Sequence, residues 1–240
     1  MSGIRTMKTE ALVIGSMRLR EADRIVTLYT RERGRLSAVA KGVRRTRSRV
    51  GGRLEPFSLV HVVLHLGRSS LYTITGVETV RTFQTVRDAL FRMEAGGRLL
   101  EIVRRLFPEE EENPAVFNLL VRGVAGLGRA ADAAEALQVV LATRLKLLLA
   151  LGYLPELDSC TECGSGELLC AFRPSLGGVL CADCFSRASH DGFAISPEGM
   201  RALRALLEKP VAEAGGLDLA PGVVGEVERA VTETLLHHGH

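Results

Sequence analysis

The chain has 240 residues, with 31 Lys and Arg against 28 Asp and Glu, a formal net charge of +3, and 46% hydrophobic residues. That is the composition of an ordinary folded protein, long enough for two domains or for one domain with an inserted subdomain. No run approaches twenty uninterrupted apolar residues, and Met1 to Thr9 is polar with no apolar core or cleavage site, so neither a membrane span nor a secretory signal is expected. Five cysteines without such a signal point to a reducing, cytoplasmic setting, where paired cysteines hold metal more often than they form disulfides. Trp is absent and aromatics are 5%, which weakens any scheme of bases stacked on rows of rings.

Residues 8 to 80 read as five short strands rich in β-branched residues: Ala11–Gly15, Arg24–Thr30, Arg35–Lys41, Leu59–Leu66 and Leu71–Thr75. Turns bearing Gly and Arg separate them. Five such strands in about seventy residues suit a small closed barrel of the OB-fold type, whose face and loops bind oligonucleotides. The fold class is therefore α+β: an OB-fold barrel followed by helices. Alternation puts Arg35, Ser37, Val39 and Lys41 on one face of the third strand and Leu36, Ala38 and Ala40 on the other.

Between Arg31 and Arg53 lie nine cations, Arg31, Arg33, Arg35, Lys41, Arg44, Arg45, Arg47, Arg49 and Arg53, against one acid, Glu32. The segment carries +8, so the remainder of the chain sums to −5. A positive field this concentrated on a nearly neutral protein fits a polyanionic partner, and arginine forks suit phosphate oxygens. The bland alternative is a solvated basic loop.

From Thr85 the apolar period becomes helical, through Val86, Leu90, Phe91, Leu99, Ile102, Val103 and Leu106. The acidic run Glu109–Glu112 reads as a solvated connector. Asn113-Pro114 opens a second helix, with Asn as cap and Pro at the first helical position. Asp132 to Leu151 is a third helix, nearly apolar on all sides and stopped by Gly152, the expected spine of a helical domain. Ser196-Pro197 opens another helix to about Lys209, Gly215, Gly216 and Pro221 mark a linker, and a last helix runs from about Gly222 to Leu236. The division expected is 1–82 for the barrel, 83–157 for a helical domain, 158–191 for a cysteine module inserted in it, and 192–240 for the helices that complete it. The ending His237–His240 reads as a frayed terminus.

Cys160-x-x-Cys163 and Cys181-x-x-Cys184 stand seventeen residues apart, the two-knuckle spacing of a tetrahedral zinc site. Leu168–Phe172 and Gly178–Cys181 would form a hairpin turning near Leu176-Gly177. Four thiolates leave no open position for water, so one structural Zn²⁺ per chain is expected rather than a catalytic ion. Cys170 reads as a small buried hydrophobe. Gly126-Leu127-Gly128-Arg129-Ala130-Ala131 fits a loose dinucleotide pattern but follows a helix, not a strand, and reads as a helix terminus. His61 and His65 sit in an apolar strand and read as packed or edge residues. There is no Walker motif, nucleophile elbow or zinc-deaminase motif. A binding protein, not an enzyme, is the expectation.

The order of features resembles the bacterial DNA repair and recombination mediator family RecO over about residues 8 to 236. The residues that carry it are Ala11-Leu-Val-Ile-Gly, Glu21-Ala-Asp-Arg-Ile-Val-Thr-Leu-Tyr-Thr, Gly34-Arg-Leu-Ser-Ala-Val-Ala-Lys-Gly-Val-Arg-Arg and Ser48-Arg-Val-Gly-Gly-Arg-Leu-Glu-Pro-Phe-Ser. Leu151-Gly-Tyr-Leu-Pro-Glu-Leu, Cys160-x-x-Cys-Gly and Gly177-Gly-Val-Leu-Cys-x-x-Cys continue it. The resemblance implies an OB-fold, a helical C-terminal domain and a four-cysteine zinc module. It implies binding of single- and double-stranded DNA without sequence preference, annealing of complementary strands, and action with RecR, in many bacteria with RecF, to place RecA on DNA coated by single-strand-binding protein (SSB). A cytoplasmic, nucleoid-associated protein is then expected. On this reading the nine cations contact DNA, Cys160, Cys163, Cys181 and Cys184 hold zinc, and Arg144 and Lys146 are docking cations for the acidic, Phe-ending tail of SSB. The rival from the residues alone is a zinc-ribbon scaffold or transcription-associated protein whose basic loop meets RNA or an acidic partner. A nuclease would need clustered Mg²⁺-binding carboxylates, for which Glu109–Glu112 look too loop-like.

Overall fold

In a computed structural model of the chain, residues 6–44, 50–66, 71–187 and 191–238 are described. The chain divides into two compact units, 1–129 and 130–240.

Five strands build the first unit: β1 (Thr6–Arg18), β2 (Arg24–Thr30), β3 (Gly34–Ala40), β4 (Leu59–Leu66) and β5 (Tyr72–Arg81). They close in the order β1-β2-β3-β5-β4, with β4 returning to β1. Every pairing is antiparallel except the closure, where Ala38 and Val39 of β3 lie parallel to Tyr72 and Thr73 of β5. This is the OB-fold barrel. β3 alternates as its sequence dictates, with Leu36, Ala38 and Ala40 inside. β1 is much longer than its apolar run Ala11–Gly15. Its polar ends are held because it is paired twice, Thr6–Leu12 to β4 and Ala11–Arg18 to β2, with a bulge between Val13 and Gly15 bending it from one ladder to the other. β5 likewise runs past Thr75, because β4 pairs it as far as Arg81. A 3₁₀ turn, Gly51–Leu54, drops Leu54 fully buried into the barrel core.

Three helices stay in this unit: α1 (Gln84–Arg87), α2 (Leu90–Leu106) and α3 (Pro114–Leu127). α2 is keyed to the barrel. Gly96 lies so close to buried Phe57 that a Cβ there would stand 2.6 Å from the ring. Arg104 donates to the Ile14 carbonyl at 2.9 Å, and Phe107 meets Tyr29 edge-on at 5.9 Å. Asn113 caps α3 by accepting the Val116 amide, and Gly128 closes it through a bond to the Val124 carbonyl, the helix terminus read from its glycines. Outward-facing His61 and His65 are half-buried on β4, the latter bonded to the Thr6 hydroxyl.

The acidic run is exposed, as expected of a solvated connector, but it is also bonded to the barrel. Glu109 pairs in parallel with Arg35, and the Glu110 amide donates to the Arg35 carbonyl at 2.8 Å. The segment is strapped along β3. Partners more than seventy residues apart carry no local sequence signal, which is why the contact is invisible until the barrel is closed.

The second unit is built around α4 (Ala133–Ala150), whose residues from Ala136 to Leu148 are almost all buried, as a spine should be. Asp132 caps it at the Glu135 amide and Glu135 reaches back to the Ala131 amide, a reciprocal capping box. The cysteine module follows: β6 (Leu169–Arg173), β7 (Gly178–Cys181), α5 (Ala182–Arg187) and β8 (Phe193–Ala194), with strand order β7-β6-β8. Its hairpin turns at Leu176-Gly177, with Gly177 left-handed at φ 68°. α6 (Pro197–Glu208), capped by Ser196, and α7 (Pro221–His238) close the unit against α4. The expected linker is instead a 3₁₀ helix, Val211–Gly216, packed on α4, with Gly215 against Glu135 and Val139. Among the described residues no helix is long and apolar enough to cross a membrane.

Gly96→Val should lower unfolding stability by about 1–3 kcal/mol, since the added carbons overpack against Phe57. The check is the urea midpoint; an unchanged midpoint would show that α2 is not keyed to the barrel at this point.

Candidate nucleic-acid interface and metal centre

The nine cations of the basic stretch divide into two groups by what surrounds them. Arg31 bonds Glu10 through Nε at 3.1 Å and Nη2 at 2.7 Å, donates to Asn118 at 3.1 Å, and stacks 4.5 Å from the Phe117 ring. Arg33 reaches Glu110 at 3.4 Å. Arg35 binds Glu109 at 3.1 Å and the Phe107 carbonyl at 2.8 Å. Three guanidinium groups thus face three carboxylates, and the β2–β3 turn is close to neutral. Surface pairs of this kind are worth about 0–1 kcal/mol each, so they set charge distribution more than stability.

Lys41, Arg44 and Arg53 differ. All three are exposed and, among the described residues, none has a carboxylate within ion-pair distance. Arg44 donates to the Glu21 carbonyl and Arg53 to the Val77 carbonyl, both at 2.9 Å. Neutral acceptors orient a guanidinium without cancelling its charge. Asp23 shapes the turn that presents Lys41 and Arg44 by accepting the Gly42 amide at 2.8 Å, and Gly42 is left-handed there at φ 67°. A pocket of about 180 Å³ opens beside Lys41, between Val43 and Val50 on one wall and Ile74 and Val77 on the other. Arg45, Arg47 and Arg49 lie outside the described residues.

The cysteine constellation assembles as its spacing dictates. The Sγ atoms of Cys160, Cys163, Cys181 and Cys184 all lie within 4.8 Å of one another, and Cys163 and Cys181 are 3.7 Å apart. Sulfurs about 2.3 Å from one tetrahedral ion would be separated by about 3.8 Å, so the set fits a metal. The first knuckle is a tight turn: the Gly164 amide donates to the Cys160 carbonyl and the Cys160 amide to the Ser165 carbonyl, both at 2.8 Å, with Gly164 at φ 75°. The second pair spans the end of β7 and the first turn of α5. Burial opposes ionisation of Cys160, but amides of Cys181, Cys163 and Glu162 outweigh it and bring the thiol to about 6. Burial, and then its sulfur neighbours, push Cys184 up, and Cys163 is raised too, so without a cation the four favour one thiolate among thiols. Cys170 stands outside this set; burial, and then the neighbouring Cys181, push its thiol up. Four cysteines this close could hold one metal ion.

Of the two expected docking cations, Arg144 is buried in α4, only 7% exposed. Lys146 donates through Nζ to the carbonyls of Leu206, at 3.1 Å, and Leu207, capping the end of α6. Burial lowers its pKa. Both side chains are turned into the helical unit. The residues that composition alone did not bring forward are the counter-charges, Glu10, Glu109 and Glu110. The one legible hint was that a run of four glutamates and a cluster of arginines occupy the same chain.

Residues 1–83 match the family described as Recombination protein O N terminal, and residues 87–239 match Recombination protein O C terminal. A DNA repair protein RecO from Rubrobacter xylanophilus is 38% identical over 234 residues, covering 96% of this chain and 91% of the relative. One from a Nocardioides species is 43% identical over 206 residues, 83% of this chain and 82% of the relative. One from Caldanaerobacter subterraneus is 32% identical over 241 residues, 98% and 94% of the two chains. An OB-fold barrel, a helical unit with a four-cysteine cluster, and matches of this extent place the chain in the RecO family of DNA repair proteins.

Proposed function

We propose that the protein is a recombination mediator that binds single- and double-stranded DNA without sequence preference and anneals complementary strands. What supports the reading is one observation above others: Lys41, which lines the barrel pocket, and Arg44 and Arg53 are exposed and not faced by carboxylates at ion-pair distance among the described residues. The chain between them adds Arg45, Arg47 and Arg49. Phosphate contacts position a strand without reading it. Annealing follows from charge neutralisation, because two strands held on one cationic surface repel each other less. Nothing in this role requires bond chemistry, so the protein acts by binding and not as an enzyme.

With RecR, and with RecF where it is present, the protein would help place RecA on SSB-coated DNA in the cytoplasm, associated with the nucleoid. SSB, through its acidic, Phe-ending tail, is a further proposed partner. The depression of about 460 Å³ beside Leu154, Leu157 and Leu207 also carries Glu156, Asp158 and Glu208, with Arg204 paired to Asp158, so it is not the place where an acidic peptide would dock. The metal of the cysteine cluster is proposed to be zinc, held by Cys160, Cys163, Cys181 and Cys184. It would supply structure, not catalysis, because four thiolates fill a tetrahedral shell.

If the six cations from Lys41 to Arg53 each meet a phosphate of single-stranded DNA, log K should fall with log salt at a slope near −4 in anisotropy titrations. Replacing all six by Ala should weaken binding uniformly across sequences. A slope near zero, or losses that depend on sequence, would reject the interface. Elemental analysis should find about one zinc per chain, and chelation should loosen the second unit, since such an ion contributes on the order of 10 kcal/mol to the folding of its module. Zinc-free protein of unaltered thermal stability would remove the assignment.

A further inference from the structure

The strap of residues 108–112 has features that a mere brace does not need. Pro108 and Glu109–Glu112 are all exposed and bury no apolar side chain of their own. What holds the strap is polar: the Glu110 amide on the Arg35 carbonyl, Arg35 Nε on the Phe107 carbonyl, and the Arg33–Glu110 and Arg35–Glu109 ion pairs. Tyr72 adds a hydroxyl 3.4 Å from the Glu110 carboxylate. Glu110 reaches these partners at φ 59°, a left-handed backbone that a side-chain-bearing residue adopts only under strain. Gly34, also left-handed, lies beneath the Glu111 carbonyl, where any Cβ would collide with it. Phe107, buried against Tyr29, anchors the strap at its start, but from Pro108 to Glu112 the fit is polar and strained.

We propose that this acidic strap is an intramolecular counter-anion. Its carboxylates occupy, on the β2–β3 turn, the positions that DNA phosphates would otherwise take, and they withhold Arg33 and Arg35 until a polyanion displaces them. The inference rests on the DNA-binding reading and adds regulation to it. Phosphate oxygens offer a guanidinium fork the same geometry as a carboxylate does. Exchange therefore replaces one charge-assisted pair by another and relieves the backbone at Glu110. Arg31 takes no part, because Glu10, Asn118 and the Phe117 ring hold it independently of the strap.

The test uses the full chain carrying Glu109→Gln with Glu110→Gln, and a fluorescein-labelled oligothymidylate titrated over a range of salt. Two released arginines should tighten binding severalfold and steepen the log–log salt slope by about 1.4. Arg33→Ala with Arg35→Ala should cancel that gain in the Gln background, yet change binding less than about twofold in the parent, the signature of a coupled pair. Glu94→Gln with Glu101→Gln on exposed positions of α2 adds the same charge elsewhere and should move the slope far less. The proposal is overturned if the parent binds and the strap variant binds no better, or if the α2 control gains as much. Absence of binding by both parent and strap variant would instead bring down the DNA-binding reading itself, and this proposal with it.

Discussion

The first unit depends on one short contact, the parallel pairing of β3 with β5 that closes the barrel. Because β3 pairs with β5 and not with β4, the chain leaving β3 cannot turn back in a hairpin. It must cross to reach β4. That crossing is the stretch from Lys41 to Ser58, and it serves two opposed requirements. Leu54 and Val43 point inward and complete the barrel core, while Lys41, Arg44 and Arg53 remain outside. A segment obliged by topology to lie over the barrel is an economical place to concentrate charge. Its inward residues fix it, and its outward residues need not pack.

The same closure explains why the basic stretch does not act as one patch. β3 carries Arg35 at its start and meets Lys41 just beyond its end, so the two lie a strand's length apart. At the Arg35 end, the chain after α2 returns along β3 and brings Glu109 and Glu110 with it. At the Lys41 end the chain from Glu21 to Asp23 also lies against the turn, with the Asp23 carboxylate on the Gly42 amide, but among the described residues no carboxylate comes within ion-pair distance of Lys41 or Arg44. Of the described cations of this stretch, Arg31, Arg33 and Arg35 thus sit in a near-neutral turn at one end of β3, while Lys41, Arg44 and Arg53, beyond its other end in the chain, are faced by no carboxylate at ion-pair distance. Counting charges along the chain overstates the field wherever distant acids come home to the same surface.

How much was legible follows the range of the interactions. The alternation of β3, the Asn113, Asp132 and Ser196 caps, the apolar spine α4 and the hairpin turn at Gly177 are all set by neighbours a few residues away, and each was readable. So was the cysteine cluster, because two knuckles of fixed spacing encode their own geometry. What failed was non-local. The polar ends of β1 look unlike a strand until two ladders claim them, and the acidic run looks like a solvated connector until β3 supplies its partners. Val211–Gly216 reads as a linker because only contact with α4 makes it helical. Lys146 reads as a surface cation because its acceptors, the last carbonyls of α6, lie sixty residues on. The resemblance to a family agreed with the fold read from the strands and added an expected role, but no counter-charges.

The cysteine module shows the opposite relation between sequence and energy. Its buried cluster consists of Cys160, Ala171, Leu180, Cys181 and Cys184, with Leu169, Cys170 and Phe185 packed at the edge. Three of the five core residues are therefore cysteines of the four-membered cluster, whose fourth, Cys163, is exposed. The other face of the sheet buries Phe172, Val179 and Phe193, with the two rings 5.7 Å apart, so this side of the module is held by apolar packing. On the cysteine side, thiolates crowded within 4.8 Å would repel one another unless a cation lay between them. The cysteine cluster is readable in the sequence because its spacing is local, whereas the meaning of the barrel's charges is not, because it depends on partners the sequence places elsewhere.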